Sequence, residues 1–202
     1  VFFPDTWDIL LSSDSLELPN VPMLFCRGDQ ANPFDDLSMH YEVQQGRRAY
    51  ASWFSDAELW IPFGVSLVRP TKVSLDLHVP DGFGRDVKIG LSTRLPECGA
   101  SFRGVFLKHD DRKDAGNSPL VRVTAGISPD GSVFEHDRSG VHDAWFRVSI
   151  VFLPDSGYAR VWYDGRFVGQ LQLPPGETVD AIRLKSGYDR GEDVGAPILM
   201  AG

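Results

Sequence analysis

Lysine and arginine residues are concentrated in one stretch of an otherwise acidic chain. Between Arg85 and Arg122 there are eight Lys or Arg against five Asp or Glu, whereas the whole chain has a formal charge of −8. Lys88 lies in this stretch, and Ser101 and Arg103, two residues apart, would project from one face of a strand. Such a basic patch could face an anionic ligand, and the alternative is a solvated loop of mixed charge.

Other kinds of chemistry lack the spacing that they require. Asp110, Asp111, Asp114 and Asn117 have the composition of a calcium loop, but they lack its alternating ligands and its terminal bidentate Glu. The serines do not lie in a GxSxG motif, and the five histidines show no HExxH or HxH spacing. We therefore expect no metal and no organic cofactor.

The clearest strands lie in the stretch 145–173. Val148, Ile150 and Phe152 alternate with other residues in a run rich in β-branched and aromatic side chains, which predicts a half-buried strand. Turns are predicted at residues 154–157 and at Asp164-Gly165, a dipeptide that tolerates the positive φ angles of a tight hairpin. The resulting three-stranded antiparallel meander can bury one face only if a second sheet covers it.

The rest of the chain also reads as short strands separated by turns. In the run 71–79, Val73, Leu75, Leu77 and Val79 share one face, and His78 is predicted to point outward from the other. No helical periodicity extends over three turns. The sequence therefore predicts an all-β fold, a two-sheet antiparallel β-sandwich or jelly roll, forming a single domain over residues 1–202 with an irregular segment at 1–36.

Composition excludes some partners and leaves the redox state of the cysteines open. The pI near 5.0 argues against general nucleic-acid binding, and no apolar run approaches the roughly 20 residues of a membrane-spanning helix. Cys26 and Cys98 could form one disulfide, which would suit an exported protein, or remain as two thiols, which would suit a cytosolic one.

Several segments carry a resemblance to a known family. They are Leu37-Ser-Met-His-Tyr-Glu-Val, Val73-Ser-Leu-Asp-Leu-His-Val-Pro-Asp-Gly-Phe, Asp86-Val-Lys-Ile-Gly-Leu, Gly99-Ala-Ser-Phe-Arg and Val161-Trp-Tyr-Asp-Gly. Their order resembles the alginate-lyase-type polysaccharide lyases of family 14 and, more loosely, the concanavalin-A-like jelly rolls. The resemblance spans roughly residues 37–197, and the Trp and Asp-Gly hairpin indicates fold more than function.

The resemblance implies β-elimination on a uronate polymer. Lys88, Ser101 and Arg103 match the family residues that neutralise the uronate carboxylate, a task that requires donors aimed at developing charge. The family's Tyr-x-Tyr pair is not found, because residues 120–125 read Leu-Val-Arg-Val-Thr-Ala. Tyr188 is therefore a candidate for proton transfer, together with His40, Tyr41 and His109.

A second hypothesis is a non-catalytic, lectin-like jelly roll. In that case exposed aromatic side chains such as Trp53, Trp60 and Tyr188 would stack on sugar rings. Trp53, Trp60 and His109 are the candidate substrate-binding residues. The expected partner is an acidic polysaccharide, with no nucleic acid and no membrane, and the expected location is outside the cell.

Overall fold

The computed structural model describes residues 24–27, 30–32, 39–44, 47–54, 57–79, 86–93, 102–110, 122–128, 133–136, 144–186 and 193–201. Strands occupy most of these ranges. Their bounds are β1 Leu24–Arg27, β2 Gln30–Asn32, β3 Met39–Gln44, β4 Arg47–Phe54, β5 Ala57–Leu67, β6 Thr71–His78, β7 Asp86–Ser92, β8 Gly104–Asp110, β9 Arg122–Ser128, β10 Val133–His136, β11 Trp145–Leu153, β12 Tyr158–Tyr163, β13 Arg166–Gln172, β14 Val179–Ser186 and β15 Asp193–Ala201. A short 3-10 helix, η1 Pro154–Ser156, separates β11 from β12.

The strands form two antiparallel sheets. Sheet A has the order β10-β9-β8-β7-β14-β5-β1-β2, and sheet B has the order β13-β12-β11-β6-β15-β4-β3. The predicted all-β, two-sheet architecture is confirmed, and β11, β12 and β13 are the predicted meander. No helix in the described part of the chain has the length and apolar character needed to cross a membrane.

The core lies between the two sheets and follows the alternation predicted from the sequence. Sheet A contributes side chains such as Ile89 and Leu107, and sheet B contributes others such as Leu77, Val148 and Ile150, all of them buried. Fully burying an aliphatic side chain of this size stabilises the fold by roughly 1.5 to 3 kcal/mol. Since successive residues of a strand point to opposite faces, the side chains between these positions form the outer faces of the sandwich.

Turns in the meander follow the predicted residue chemistry. Asp164 and Gly165 have φ angles of 48° and 74°, the positive values that a tight two-residue hairpin needs. Gly157 ends η1 with φ of 68°, and its N–H donates to the carbonyl oxygen of Pro154 at 3.0 Å. Both turns therefore depend on backbone conformations that Gly adopts without steric cost.

Three features differ from the sequence-based expectations or add to them. β15 lies between β6 and β4 in sheet B. It contains Pro197, which obscures its strand pattern in the sequence. The N-terminal segment contributes β1 and β2. His78 is on the outer side of β6, as alternation predicts, but it is buried at 2% exposure with its ring centroid 5.7 Å from that of Trp145.

Candidate functional site

Lys88 and Arg103 lie far apart along neighbouring strands. Lys88 is half-buried on the outer side of β7, where its Nζ is 5.8 Å from the ring centroid of Phe106. Arg103 is exposed just before β8, and the N–H of Thr93 donates to its carbonyl oxygen at 3.3 Å. Thr93 is five positions from Lys88, which corresponds to roughly 17 Å along a strand. Lys88 and Arg103 therefore do not converge on one carboxylate. The third predicted member of this group, Ser101, lies outside the described residues.

The predicted basic patch contains three lysines side by side in sheet A. In the strand register, Lys88 lies between Lys108 of β8 and Lys185 of β14. Lys185 donates to Glu58 Oε1 at 2.6 Å, so a carboxylate already compensates part of this positive charge.

Two of the predicted substrate-binding residues are buried, which corrects their assignment. Trp60 is 0% exposed, so its ring offers no surface to a sugar. His109 is 1% exposed and lies inside the sandwich, stacked on Phe146 with ring centroids 4.8 Å apart. β8 continues through His109, and strand alternation directs its side chain toward the core.

The side chains of the other predicted site residues lie outside the described part of the chain. Trp53 belongs to β4, and its side chain lies outside the described residues. Tyr188 and Cys98 also lie outside them, as do the Cys26 side chain and therefore the disulfide. Among the described residues there is no group of three or more His, Cys, Asp or Glu side chains that could hold a metal ion.

Trp60 instead belongs to a buried polar network on the outer side of sheet A. Trp60 Nε1 donates to Glu58 Oε2 at 3.0 Å, and Arg183 donates to the same oxygen at 2.7 Å. Lys185 donates to Glu58 Oε1 at 2.6 Å. The Arg183 guanidinium lies 4.2 Å from the Trp60 ring centroid and 5.3 Å from that of Phe102. The network joins β5 to β14 and is too deeply buried to be a ligand-binding surface.

Two aromatic side chains reach the surface on the opposite side of the molecule, on the outer face of sheet B. Trp162 of β12 is half-buried, and Phe167 of β13 is 52% exposed. Their ring centroids are 5.6 Å apart with an interplanar angle of 63°, an edge-to-face arrangement that aromatic pairs favour. We refer to Trp162 and Phe167 as the aromatic platform.

A β-bulge creates this platform. Val161 pairs with Gly169 and Trp162 pairs with Phe167, so Val168 is an additional residue in β13. Strict alternation from the buried Leu171 would place Gly169 and Phe167 on the core side. The bulge buries Val168 instead and turns Phe167 outward beside Trp162. Bulges commonly redirect a side chain in this way next to a functional site.

Polar side chains flank the platform in fixed positions. On one side, Arg147 of β11 makes a bidentate ion pair with Asp76 of β6, with N–O distances of 2.6 and 2.8 Å. On the other side, Arg160 Nε donates to Gln170 Oε1 at 2.8 Å. Arg147 and Arg160 lie on the same sheet face as the platform, and each has its planar head oriented by a neighbouring strand. Oriented donors beside an aromatic surface are suited to recognising hydroxyl-rich ligands.

The sequence did not identify this face as a site. In the sequence, the Trp162 hairpin indicates only the fold, because Trp and Asp-Gly patterns are widespread in such sandwiches. The spacing of Leu171 and Leu173 assigns Phe167 to the core, and no sequence pattern shows where a bulge will form. The available signal was the presence of Trp162 at an outward position of β12, between the inward Val161 and Tyr163.

Fold and topology define the chain as a two-sheet jelly roll of the concanavalin-A-like type. The Emp47p carbohydrate recognition domain superimposes with a TM-score of 0.52 at 11% identity, covering 94% of this chain and 92% of that domain. A glycoside hydrolase family 16 endo-glucanase from Bacteroides ovatus gives 0.54 at 9% identity and covers 85% of each chain. A sialidase gives 0.52 at 14% identity, but this chain spans only 16% of its length.

These similarities concern the fold alone, because the identities are low. No protein-family model and no curated protein sequence matches the chain. None of the three names is that of a polysaccharide lyase, and the more specific resemblance to family 14 remains a prediction.

Proposed function

We propose that this protein is a carbohydrate-binding jelly-roll domain that holds a glycan on the outer face of sheet B. The observation that carries the proposal is the bulge in β13, which places Phe167 at the surface next to Trp162. A partly exposed aromatic pair on a rigid sheet can pack against the apolar face of a sugar ring at little cost in conformational entropy.

The flanking polar groups support the same assignment. Sugars present both apolar C–H faces and rings of hydroxyl groups, so a binding face needs aromatic surface and oriented hydrogen-bonding groups together. Asp76–Arg147 and Arg160–Gln170 supply such groups on both sides of the platform. The names of the Emp47p domain and of the family 16 endo-glucanase also refer to carbohydrates.

Binding to a panel of neutral and acidic polysaccharides, measured by affinity electrophoresis and calorimetry, tests the proposal. Trp162→Ala should weaken binding at least tenfold, about 1.4 kcal/mol, and Phe167→Ala should have a similar effect. Val68→Ala is the matched control, because Val68 is also an exposed apolar side chain, at 66% exposure, outside the platform. If both platform variants bind like the parent while circular dichroism shows them folded, the glycan site is elsewhere or absent.

We propose that the domain binds its glycan without cleaving it. β-Elimination requires a base, an acid and donors that converge on one uronate. Lys88 and Arg103 are separated by roughly 17 Å along the sheet, which does not favour the clamp implied by family 14. Incubation with alginate and polygalacturonate tests this point, because new ultraviolet absorbance from an unsaturated uronate would show that the lyase assignment is correct.

We also propose that the protein meets its glycan outside the cell. This location follows from the polysaccharide partner and from the possible Cys26–Cys98 disulfide, which would form in an oxidising compartment. Fractionation of the producing cells with an antibody to the protein tests it, and retention of all the protein in the cytosolic fraction would contradict it.

A further inference from the structure

We infer that one end of the sheet B face recognises the carboxylate of a uronic acid residue, so that the preferred ligand is an acidic glycan. This inference rests on the proposed carbohydrate-binding function and specifies the class of glycan. It concerns Lys72 and Arg160, which lie on the same face as the platform and which the sequence did not single out.

The strand register places Lys72 and Arg160 on either side of a single apolar residue. Lys72 of β6 is opposite Val151 of β11, and Val151 is opposite Arg160 of β12. Two strand spacings separate the cations, which places their backbones about 10 Å apart. Both side chains are long enough to reach an anion above Val151, which is itself buried at 3% exposure.

The Arg160 head is oriented for this role. Its Nε donates to Gln170 Oε1 at 2.8 Å, which fixes the plane of the guanidinium. The two terminal nitrogens of an arginine present a fork whose geometry matches a carboxylate. Lys72 is exposed and adds a second positive charge without a fixed direction.

Charge on this face is distributed unequally between its two ends. At the end containing Arg147, Asp76 cancels the positive charge through the bidentate ion pair. Within the described residues, neither Lys72 nor Arg160 forms an ion pair with a carboxylate. One end of the face is therefore locally neutral and the other is cationic, in a chain whose formal charge is −8.

The cationic end is next to the aromatic platform. Arg160 and Trp162 are two residues apart on β12 and point to the same side, which separates them by roughly 7 Å along the strand. A sugar chain stacked on Trp162 would thus bring the carboxylate of the same or the next residue over Val151. The opposite end, with the neutralised Arg147, would contact hydroxyl groups.

The test compares glycans that differ only in the acidic group. Polygalacturonate and alginate are each measured beside their esterified forms, which have the same backbone without the charge. The parent protein should bind at least one acidic polymer about tenfold or more tightly than its ester at low salt. The difference should shrink in 0.5 M NaCl, with the Debye length near 4 Å.

Variants locate the effect on this face. Lys72→Gln should lose about tenfold in affinity for the acidic polymer and little for its ester. Arg160→Gln should weaken binding of both polymers, because Arg160 also flanks the platform as a hydrogen-bond donor, but the loss for the acidic polymer should be about tenfold larger than the loss for its ester. Arg160→Lys should recover only part of the affinity that Arg160→Gln loses, because an ammonium group keeps the charge but lacks the forked geometry of a guanidinium. Arg103→Gln removes the same charge from an exposed position outside this face and is the control.

The outcomes separate this inference from the proposed function. If the parent binds glycans through Trp162 but does not prefer the acidic polymers, the carboxylate subsite is wrong and the carbohydrate-binding function stands. If Arg103→Gln abolishes the preference and Lys72→Gln and Arg160→Gln do not, the anion binds elsewhere and the inference is also wrong. If Trp162→Ala has no effect on any glycan, the proposed function itself fails.

Discussion

At the scale of single residues, Glu58 shows how burial changes the energetics of an ion pair. Its carboxylate is 1% exposed and accepts hydrogen bonds from Trp60, Arg183 and Lys185. Arg183 is also fully buried, with its guanidinium close to the rings of Trp60 and Phe102. Removing one partner of such a pair leaves a charge in a medium that solvates it poorly, whereas removing both does not.

Glu58→Ala should therefore destabilise the protein by about 3 to 5 kcal/mol. The Glu58→Leu, Arg183→Met double variant should lose clearly less than the two single variants together, because it leaves neither charge uncompensated. Urea denaturation monitored by tryptophan fluorescence measures the free energy of unfolding of the single and double variants. A Glu58→Ala cost below about 1 kcal/mol, typical of surface pairs, would show that the network is solvated.

Arg147 provides a matched comparison for the buried network. Asp76 raises the pKa of Arg147, first through the side-chain hydrogen bond and then through its charge. A pKa raised in the folded state means that the stabilisation from the Arg147 charge is lost only as the pH rises through the raised pKa. The contribution of Arg147 is therefore fully present at neutral and acidic pH. Since the Arg147 side chain is 61% exposed, Arg147→Gln should cost no more than about 1 kcal/mol.

At the scale of the strands, β7 and β8 approach each other so closely that glycine is required. Gly104 has φ of +116°, and a Cβ at this position would lie 2.1 Å from the Leu91 carbonyl oxygen. Gly90 is restricted in the same way by β8, because a Cβ added at this position would lie 2.0 Å from the Val105 carbonyl oxygen. The pairing of these two central strands therefore depends on residues without side chains.

Gly104→Ala should destabilise the protein by about 3 kcal/mol or more, because backbone strain and a contact with a main-chain oxygen add together. Gly165→Ala is the control, since its φ is +74° but no atom lies within 4 Å of the added Cβ. It should cost only about 1 to 2 kcal/mol from the left-handed backbone alone. Equal losses in chemical denaturation would show that the close approach of β7 and β8 is unimportant.

At the scale of the whole molecule, sheet A joins segments that are distant in the sequence. β14 lies between β7 and β5, and β1 lies on the other side of β5. Cys26 is in β1, opposite Glu58 of β5, so the strand that carries it is attached to the sandwich by sheet pairing. A disulfide from Cys26 to Cys98 would add a covalent connection between this strand and a distant part of the chain.

We expect this disulfide to stabilise the fold by roughly 4 kcal/mol in the entropic model, because it closes a long loop in the unfolded chain. Alkylation of the unreduced, denatured protein followed by intact-mass analysis should find no modified thiols. The same measurement on protein that was reduced first should find two. Two alkylated thiols without reduction would contradict the bridge. The melting temperature should fall on reduction.

The sequence by itself determined the fold class and much of the secondary structure. Alternation at Val73–Val79 and at Val148, Ile150 and Phe152 reports directly which face of a strand is buried. Asp164-Gly165 likewise predicted a tight hairpin, because the positive φ angles that it needs are a local property of these residues. Such features depend on near neighbours in the chain, so a single sequence contains the information.

Only the tertiary structure decided where the candidate site lies. Trp60 and Trp162 both occupy outward strand positions, but Trp60 is buried in the Glu58 network while Trp162 borders the exposed Phe167. The separation of Lys88 from Arg103 depends on the β7–β8 register, and the exposure of Phe167 depends on a bulge against β12. Register and bulges arise from pairing between strands, and burial of an outer face depends on which segments pack over it. These are long-range interactions that alternation within one strand does not report.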